Sequence, residues 1–120
     1  MAESIMLNKS KDFAVEIIKI TKEISQNHKE YVLTKQLVRS ATSVGANIHE
    51  SKYASSKADF VAKMQIALKE CYETEYWIDM LQSAGCITDD IKSELLQDCG
   101  VIRRMLVKSI TTAKANNSNN

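Results

Sequence analysis

The chain has 120 residues, a net charge of +1 and 44% hydrophobic residues, which predicts one globular domain with a modest core. This near-neutral charge excludes a strongly basic nucleic-acid binder, so such a role needs a local patch. Three cysteines without CxxC spacing favour reduced thiols in the cytoplasm over disulfides or zinc. The apolar runs are too short for a membrane span, and Ile5–Leu7 is too short for the core of a signal peptide.

The chain contains no proline, which favours long uninterrupted helices. The first predicted helix covers about Ser4–Ser25 and ends at a polar break, Gln26–His28. Its core face recurs at three- and four-residue steps and consists of Phe13, Ile17, Ile20 and Ile24.

The second predicted helix covers about Glu30–Lys52 and is rich in small residues in its middle. A glycine inside a helix costs about 1 kcal/mol relative to alanine, so Gly45 indicates close approach of a neighbouring helix. Counting residues from a turn near Lys29 places Gly45 level with Phe13, for which it is expected to make room. We expect this segment to be covered on more than one side. Its core stripe is Leu33, Leu37, Ala41, Val44 and Ile48.

The third predicted helix begins near Ser55 or Ser56 and reaches about Ala84. The same counting places Arg39 level with Glu70, so Arg39 is expected to pair with Glu70 or Glu73. A second apolar stripe beside the core seam would meet another helix of the chain or another subunit. The seam is Phe60, Met64, Ala67, Cys71, Thr74, Ile78 and Leu81, and the second stripe is Val61, Leu68, Tyr72 and Tyr76.

The fourth predicted helix starts at a Thr88 cap, after Gly85 has ended the third. Its core face is Ile91, Leu95, Ile102, Leu106 and Ile110. Residues 116–120 form a polar tail that we expect to be disordered. The fold prediction is all-α: an antiparallel up-down-up-down four-helix bundle, with one domain over residues 1–115.

The clustered carboxylates of the third helix raise the question of a metal site. Di-iron bundles use Glu-x-x-His motifs on paired helices, and this sequence contains none. We therefore interpret the carboxylates as paired or solvated, and expect no metal, no cofactor and no enzymatic activity. They are Glu70, Glu73 and Glu75, with His49–Glu50 at the end of the second helix.

Three further features have a structural interpretation beside a functional one. No nucleophile is readable beside His28 or His49. Cys71 is interpreted as a small core residue, and Cys99 is a candidate to face it across the hairpin of the third and fourth helices. The aromatic group Tyr72, Tyr76 and Trp77 could stack on bases, but burial in the core or a subunit interface is favoured.

The basic residues leave two interpretations open. They line one phosphate-contacting surface, or they are ordinary solvated side chains. The candidates are Lys35, Arg39, Arg103, Arg104 and Lys108, with Lys114 nearby in sequence.

The segment Gln36–Ile48 resembles the pattern QLxRSxxSIxANIxE of the four-helix-bundle proteins encoded by intervening sequences of bacterial 23S ribosomal RNA genes. Glu50 matches the acidic end of that pattern. A second stretch, from Ser56 to Trp77, resembles the later family pattern S..DF..K...AlkEa.Et.yW. The resemblance covers about Ser10–Ile110. The matched positions that we interpret as structural are Phe13, Arg39, Ser40, Gly45, Asn47, Glu50, Phe60, Glu70, Glu73 and Trp77.

The resemblance implies a ring-like homopentamer and a protein that is not an enzyme. The chain is also similar to the accessory variability determinant proteins of diversity-generating retroelements, which bind nucleic acid and a reverse transcriptase. Those proteins are strongly basic, so the near-neutral charge favours the intervening-sequence type. RNA or DNA binding through a local basic patch is one expectation. The alternative is a scaffold for a reverse transcriptase or ribosome-associated partner, without nucleic acid. A ring interface needs two different patches, and helices two and three are expected to supply one.

Overall fold

The computed structural model describes residues 2–117 and the side chains of residues 4–116. Four helices occupy this range: α1 (Ala2–His28), α2 (Val32–Ser51), α3 (Lys57–Ser83) and α4 (Asp89–Asn117). Each helix packs against the next and α4 returns to α1, which confirms the predicted all-α antiparallel bundle. The bundle measures 54 × 22 × 20 Å. Across the described helices, none combines the length and apolar character that a membrane crossing requires.

The core follows the predicted hydrophobic stripes closely. Ile20, Leu33 and Phe60 lie half-buried at its edge rather than inside it. Ile91 was predicted in the core but is 37% exposed, because Ile87 in the preceding loop fills that end of the bundle instead. The buried side chains along the four stripes include Phe13, Ile17, Ile24, Leu37, Val44, Ile48, Met64, Ile78, Leu81, Leu95, Ile102 and Leu106.

The ends of α3 and the start of α4 carry the predicted capping residues. Ser56 Oγ accepts a 3.0 Å hydrogen bond from the backbone N–H of Asp59. The Asp59 carboxylate in turn accepts one of 3.0 Å from the N–H of Ser55. Gly85 follows α3 with a φ of +79°, a conformation that favours glycine. Thr88 Oγ1 accepts from the N–H of Ile91 at 3.2 Å.

The turn between α1 and α2 differs from its prediction. The polar residues Gln26–His28 were expected to break the helix, but α1 continues through His28. The reversal occurs at Lys29, with a φ of +53°. The carboxylate of Glu30 then satisfies two free N–H groups of α2, accepting hydrogen bonds from Val32 at 3.1 Å and Thr34 at 2.9 Å. A carboxylate cap therefore fixes the start of α2.

Gly45 contacts a different neighbour from the predicted one. A Cβ atom at this position would lie 3.2 Å from Ser10 Oγ, and Phe13 is not within 4 Å. Two residues that are three positions apart on a helix differ in direction by 300° around its axis. Ser10 therefore faces α2, whereas Phe13 points into the middle of the bundle. The prediction of close approach between α1 and α2 is confirmed, and the partner named for Gly45 was wrong.

The C-terminal helix is longer than predicted. Asn116 and Asn117 were placed in a disordered tail, but α4 continues through Asn117. Each added residue of an existing helix gains one hydrogen bond, and Ala113 and Ala115 are strong helix formers. The predicted domain boundary at residue 115 therefore falls inside α4. The rest of the predicted tail, 118–120, lies outside the described residues.

Candidate functional site

Arg39 joins α2 to α3 through two carboxylates. Its Nη1 donates a 3.1 Å hydrogen bond to Glu70, and its Nη2 donates to Glu73. Its Nε donates to the side chain of Gln36 at 3.3 Å. Glu73 also accepts a 3.2 Å bond from the indole N–H of Trp77. The predicted pairing of Arg39 is confirmed with both candidates.

The charges in this cluster reinforce one another. The hydrogen bond from Arg39 holds the pKa of Glu73 below its usual value, and the same bond raises the pKa of Arg39. One guanidinium faces two carboxylates here, so the cluster carries no surplus positive charge. Such a group ties two helices together and has little to offer a phosphate.

Three other residues of the Gln36–Glu50 pattern are buried, bonded within α2 or exposed. Ser40 is buried and accepts a 2.9 Å hydrogen bond from Thr74 of α3. Asn47 donates at 2.9 Å to the backbone carbonyl of Ser43 in its own helix. Glu50 is exposed at the end of α2.

The structure does not gather the candidate basic residues on one surface. Lys35 and Arg39 lie on α2, whereas Arg103, Arg104 and Lys108 lie on α4, on the opposite side of α3. Arg103 donates from Nε to Glu75 at 3.3 Å, and its guanidinium carbon lies 5.8 Å from the ring centre of Tyr72.

Arg104 and Lys108 are the two candidate cations of α4 that remain exposed and unpaired. Neither has an ion pair among the described residues. Lys114 lies further along the same helix and is also exposed. The basic group on α4 therefore reduces to a short exposed row at the C-terminal half of the helix.

An apolar surface, here called the tyrosine face, lies between α3 and α4. Tyr72 and Tyr76 are 53% and 55% exposed, one helical turn apart on α3. Val107 is 42% exposed and lies one turn after Arg103, which covers Tyr72. Because α3 and α4 are antiparallel, Val107 is level with Leu68, the next residue of the same stripe. Periodicity predicted the α3 half of this face and missed Val107.

The second apolar stripe of α3 is divided between the core and the surface of the chain. Val61 and Leu68 pack half-buried against the core. The tyrosines remain mostly outside, and Tyr76 makes an edge-on contact with Trp77 at 5.1 Å between ring centres. Trp77 itself is half-buried.

The clustered carboxylates of α3 are paired, as the structural interpretation predicted: two hold Arg39 and Glu75 holds Arg103.

A different acidic group lies between α1 and α4, where oxygens of Glu16, Glu94 and Asp98 lie within 4.8 Å of one another. Burial, and then the charges of Asp98 and Glu94, raise the pKa of Glu16. The four-residue spacing of Glu94 and Asp98 was the signal that could have identified this group. Exposed acidic groups of this kind are common without a metal ion.

The three cysteines lie in the core or packed against it. Cys99 Sγ lies 3.6 Å from the carbonyl oxygen of Cys71, so the two residues face each other across the contact between α3 and α4. The hydrogen bond with Cys71, together with burial, raises the pKa of Cys99, which makes this thiol unreactive. Cysteines 71, 86 and 99 are all free. His49 contacts Tyr53 edge-on at 5.6 Å.

Comparison with known proteins identifies the family. The family described as 23S rRNA-intervening sequence protein matches residues 2–108. A crystal structure of a protein of unknown function, from the S23 ribosomal protein family of Bacteroides thetaiotaomicron, is 40% identical with a TM-score of 0.90. That match covers 92% of this chain and 99% of the other. No curated protein is significantly similar to the chain. The chain therefore belongs to the 23S rRNA-intervening sequence protein family.

Proposed function

We propose that this chain is a non-catalytic subunit of a ring-like homopentamer whose subunits join through the tyrosine face. The supporting observation is the exposure of Tyr72 and Tyr76, each more than half accessible on one side of α3. Tyrosine offers a large apolar ring and a polar tip, and it is enriched in protein interfaces. A surface of this kind on a small bundle favours contact with another protein.

The partner patch in a ring must be a different surface of the same chain. The outer side of α2 is suited to it, because Thr42 and Ala46 are small and exposed one turn apart. Small side chains let a neighbouring helix approach closely. The tyrosine face and this side of α2 lie on different sides of the bundle, as closure of a ring requires. The number five comes from the resemblance to the intervening-sequence proteins.

The proposed assembly is tested with the double variant Tyr72→Ser/Tyr76→Ser. We expect it to remain helical by circular dichroism and to sediment as a smaller species than the wild type. Tyr53→Ser is the matched control, since Tyr53 is 76% exposed but lies beyond the end of α2. A double variant that sediments like the wild type would remove the tyrosine face from the interface.

RNA or DNA binding is the second candidate function, and it is favoured by the exposed row of Arg104 and Lys108 on α4. In a ring, each such row would be repeated by symmetry, which compensates for the small charge of one chain. The resemblance to the retroelement accessory proteins supports the same candidate. Lys35 lies too far around the bundle to join this row within one chain.

Salt dependence tests the nucleic-acid candidate. Binding of a short structured RNA should weaken steeply as salt rises, because phosphate contacts release counterions. Arg104→Glu/Lys108→Glu should abolish binding, whereas Lys11→Glu/Lys19→Glu on α1 makes the same change of net charge and should not.

If the wild type binds no RNA at low salt, the alternative is a scaffold for a protein such as a reverse transcriptase or ribosome-associated factor. With three free thiols, we place either role in the cytoplasm.

A further inference from the structure

We propose that a groove at the end of the bundle opposite the Lys29 turn binds a small amphiphilic anion, a carboxylate carried on a medium-length apolar chain. The groove lies where the start of α1, the start of α3 and the second half of α4 meet. The groove has a cavity volume of about 470 Å³, which lies within the range of roughly 300–1,000 Å³ that is ordinary for ligand sites.

The floor of the groove is apolar and comes from three helices. Met6 of α1 is buried, and Phe60 of α3 and Met105 of α4 lie half-buried beside the core. Methionine side chains are flexible and fill irregular spaces, so this floor adapts to an unbranched chain. Ala113 continues the lining along α4 without filling it.

The rim of the groove carries two lysines, one on α3 and one on α4. Each lysine is three residues away from an apolar residue of the floor. Lys57 precedes Phe60 by three residues on α3, and Lys108 follows Met105 by three residues on α4. Because α3 and α4 are antiparallel, both lysines lie one turn, about 5 Å, beyond the floor and toward the same end. Lys57 is also the first residue of α3, where the helix dipole favours an anion.

The charge around the groove selects the ligand. No acidic residue is found among the described side chains that line it. An uncharged apolar molecule would leave the two ammonium groups unused, and a free inorganic anion would leave the apolar floor in contact with water. A chain that places its carboxylate at the rim and its methylenes on the floor satisfies both. This site is separate from the tyrosine face, and Lys57 lies outside the basic row on α4.

Calorimetric titration with decanoate below its micellar concentration tests the site on the full chain. We expect one molecule to bind per chain, with decanol bound more weakly and acetate not bound. Lys57→Ala/Lys108→Ala should weaken decanoate binding about tenfold and leave decanol unchanged, since only the ion pairs are lost. Lys11→Ala/Lys69→Ala removes the same charge elsewhere and should have no effect.

A groove-filling variant separates the floor from the rim. Ser109 lines the groove and is half-buried, so Ser109→Phe should block decanoate while circular dichroism shows an unchanged helical fold. No binding by the wild type, or equal binding by Ser109→Phe, would overturn the proposal. If the wild type binds nothing and Ser109→Phe lowers the mass in solution, the groove is an interface between copies and the proposal is likewise wrong. Failure of the tyrosine variants would leave this test unaffected.

Discussion

The hydroxyl of Thr74 lies 2.9 Å from the hydroxyl of Ser40, at the buried contact between α2 and α3. Thr74 also lies 2.7 Å from the carbonyl oxygen of Glu70, and Ser40 donates to the carbonyl of Leu37 at 3.2 Å. Both side chains are fully buried. The contact therefore joins two helices through polar groups that satisfy one another inside an apolar core.

Thr74→Val should destabilise the protein by about 1 kcal/mol, because it keeps the shape of the side chain but leaves Ser40 Oγ without its donor. Ser40→Ala should cost a similar amount. The double variant should cost clearly less than the sum of the two, since neither polar partner remains. Urea denaturation of all four proteins measures this coupling. Strictly additive costs would show that the two hydroxyls do not interact.

Gly45→Ala tests the close contact between α1 and α2. Alanine favours a helix by about 1 kcal/mol over glycine, but its Cβ would press on Ser10 Oγ. Ser10 cannot easily move away, because it is buried and donates a 2.8 Å hydrogen bond to the carbonyl of Leu7. We expect the two effects to cancel within about 0.5 kcal/mol.

Without the hydroxyl of Ser10, the higher helix propensity of alanine at position 45 should appear as a gain in stability. In a Ser10→Ala background, the substitution Gly45→Ala should stabilise the protein by about 1 kcal/mol, because the nearest remaining atom, the Cβ of residue 10, lies at 3.8 Å. Thermal unfolding of the four proteins gives both values. An equal effect of Gly45→Ala in the two backgrounds would mean that Ser10 does not constrain this position.

Glu30 should make the stability of α2 dependent on pH. Burial alone would raise the pKa of Glu30, but hydrogen bonds from the backbone N–H groups of Thr34, Leu33 and Val32 outweigh it and lower the pKa below 4.5. The ionised carboxylate therefore stabilises the fold above about pH 4.5, and this contribution is lost as the pH falls through the lowered value.

Glu30→Gln should cost about 1 kcal/mol at pH 7, and the difference from wild type should shrink below pH 4. Glu23→Gln, at an exposed position within α1, is the control and should show little difference at any pH. Urea denaturation at several pH values measures the effect. A constant difference between Glu30→Gln and wild type across the range would contradict the assignment of the cap.

Thiol reactivity should distinguish the three cysteines. Cys71 and Cys99 are buried, whereas Cys86 is half-buried after α3. Burial raises the pKa of Cys86, so even this thiol should react slowly at pH 8. We expect one reactive thiol per native chain with an aromatic disulfide reagent, and three after denaturation. Cys86→Ser should remove the native reaction, and reaction of all three native thiols would show that the core opens easily.

Periodicity and capping chemistry were sufficient to predict the four helices and most of the core, and counting along a hairpin predicted the pairing of Arg39 with Glu70 or Glu73. Counting along a hairpin gives the level of a residue but not its rotation about the helix axis. That is why Arg39 was matched correctly, whereas Phe13 was named in place of Ser10 as the neighbour of Gly45. The cap by Glu30 was missed because a glutamate two residues before a helix is a weak signal.

The surface was harder to predict than the core. A run of basic residues does not reveal which of them face a carboxylate across a helix contact, and Arg39 and Arg103 both do. The tyrosine face could not be predicted without the packing of α4 on α3, because Val107 joins it from α4 and lies 31 residues after Tyr76 in the sequence. The groove at the end of the bundle depends on three helices meeting and has no local signature.

Light scattering on a sizing column, applied to the wild-type chain at low salt, tests the proposed self-assembly most directly. We expect a mass of about 68 kDa, which is five copies of the 13.5 kDa chain. Addition of a short structured RNA would shift this peak if the second candidate function also holds. A single species of 13.5 kDa at every concentration would contradict the assembly and the interface role of Tyr72 and Tyr76.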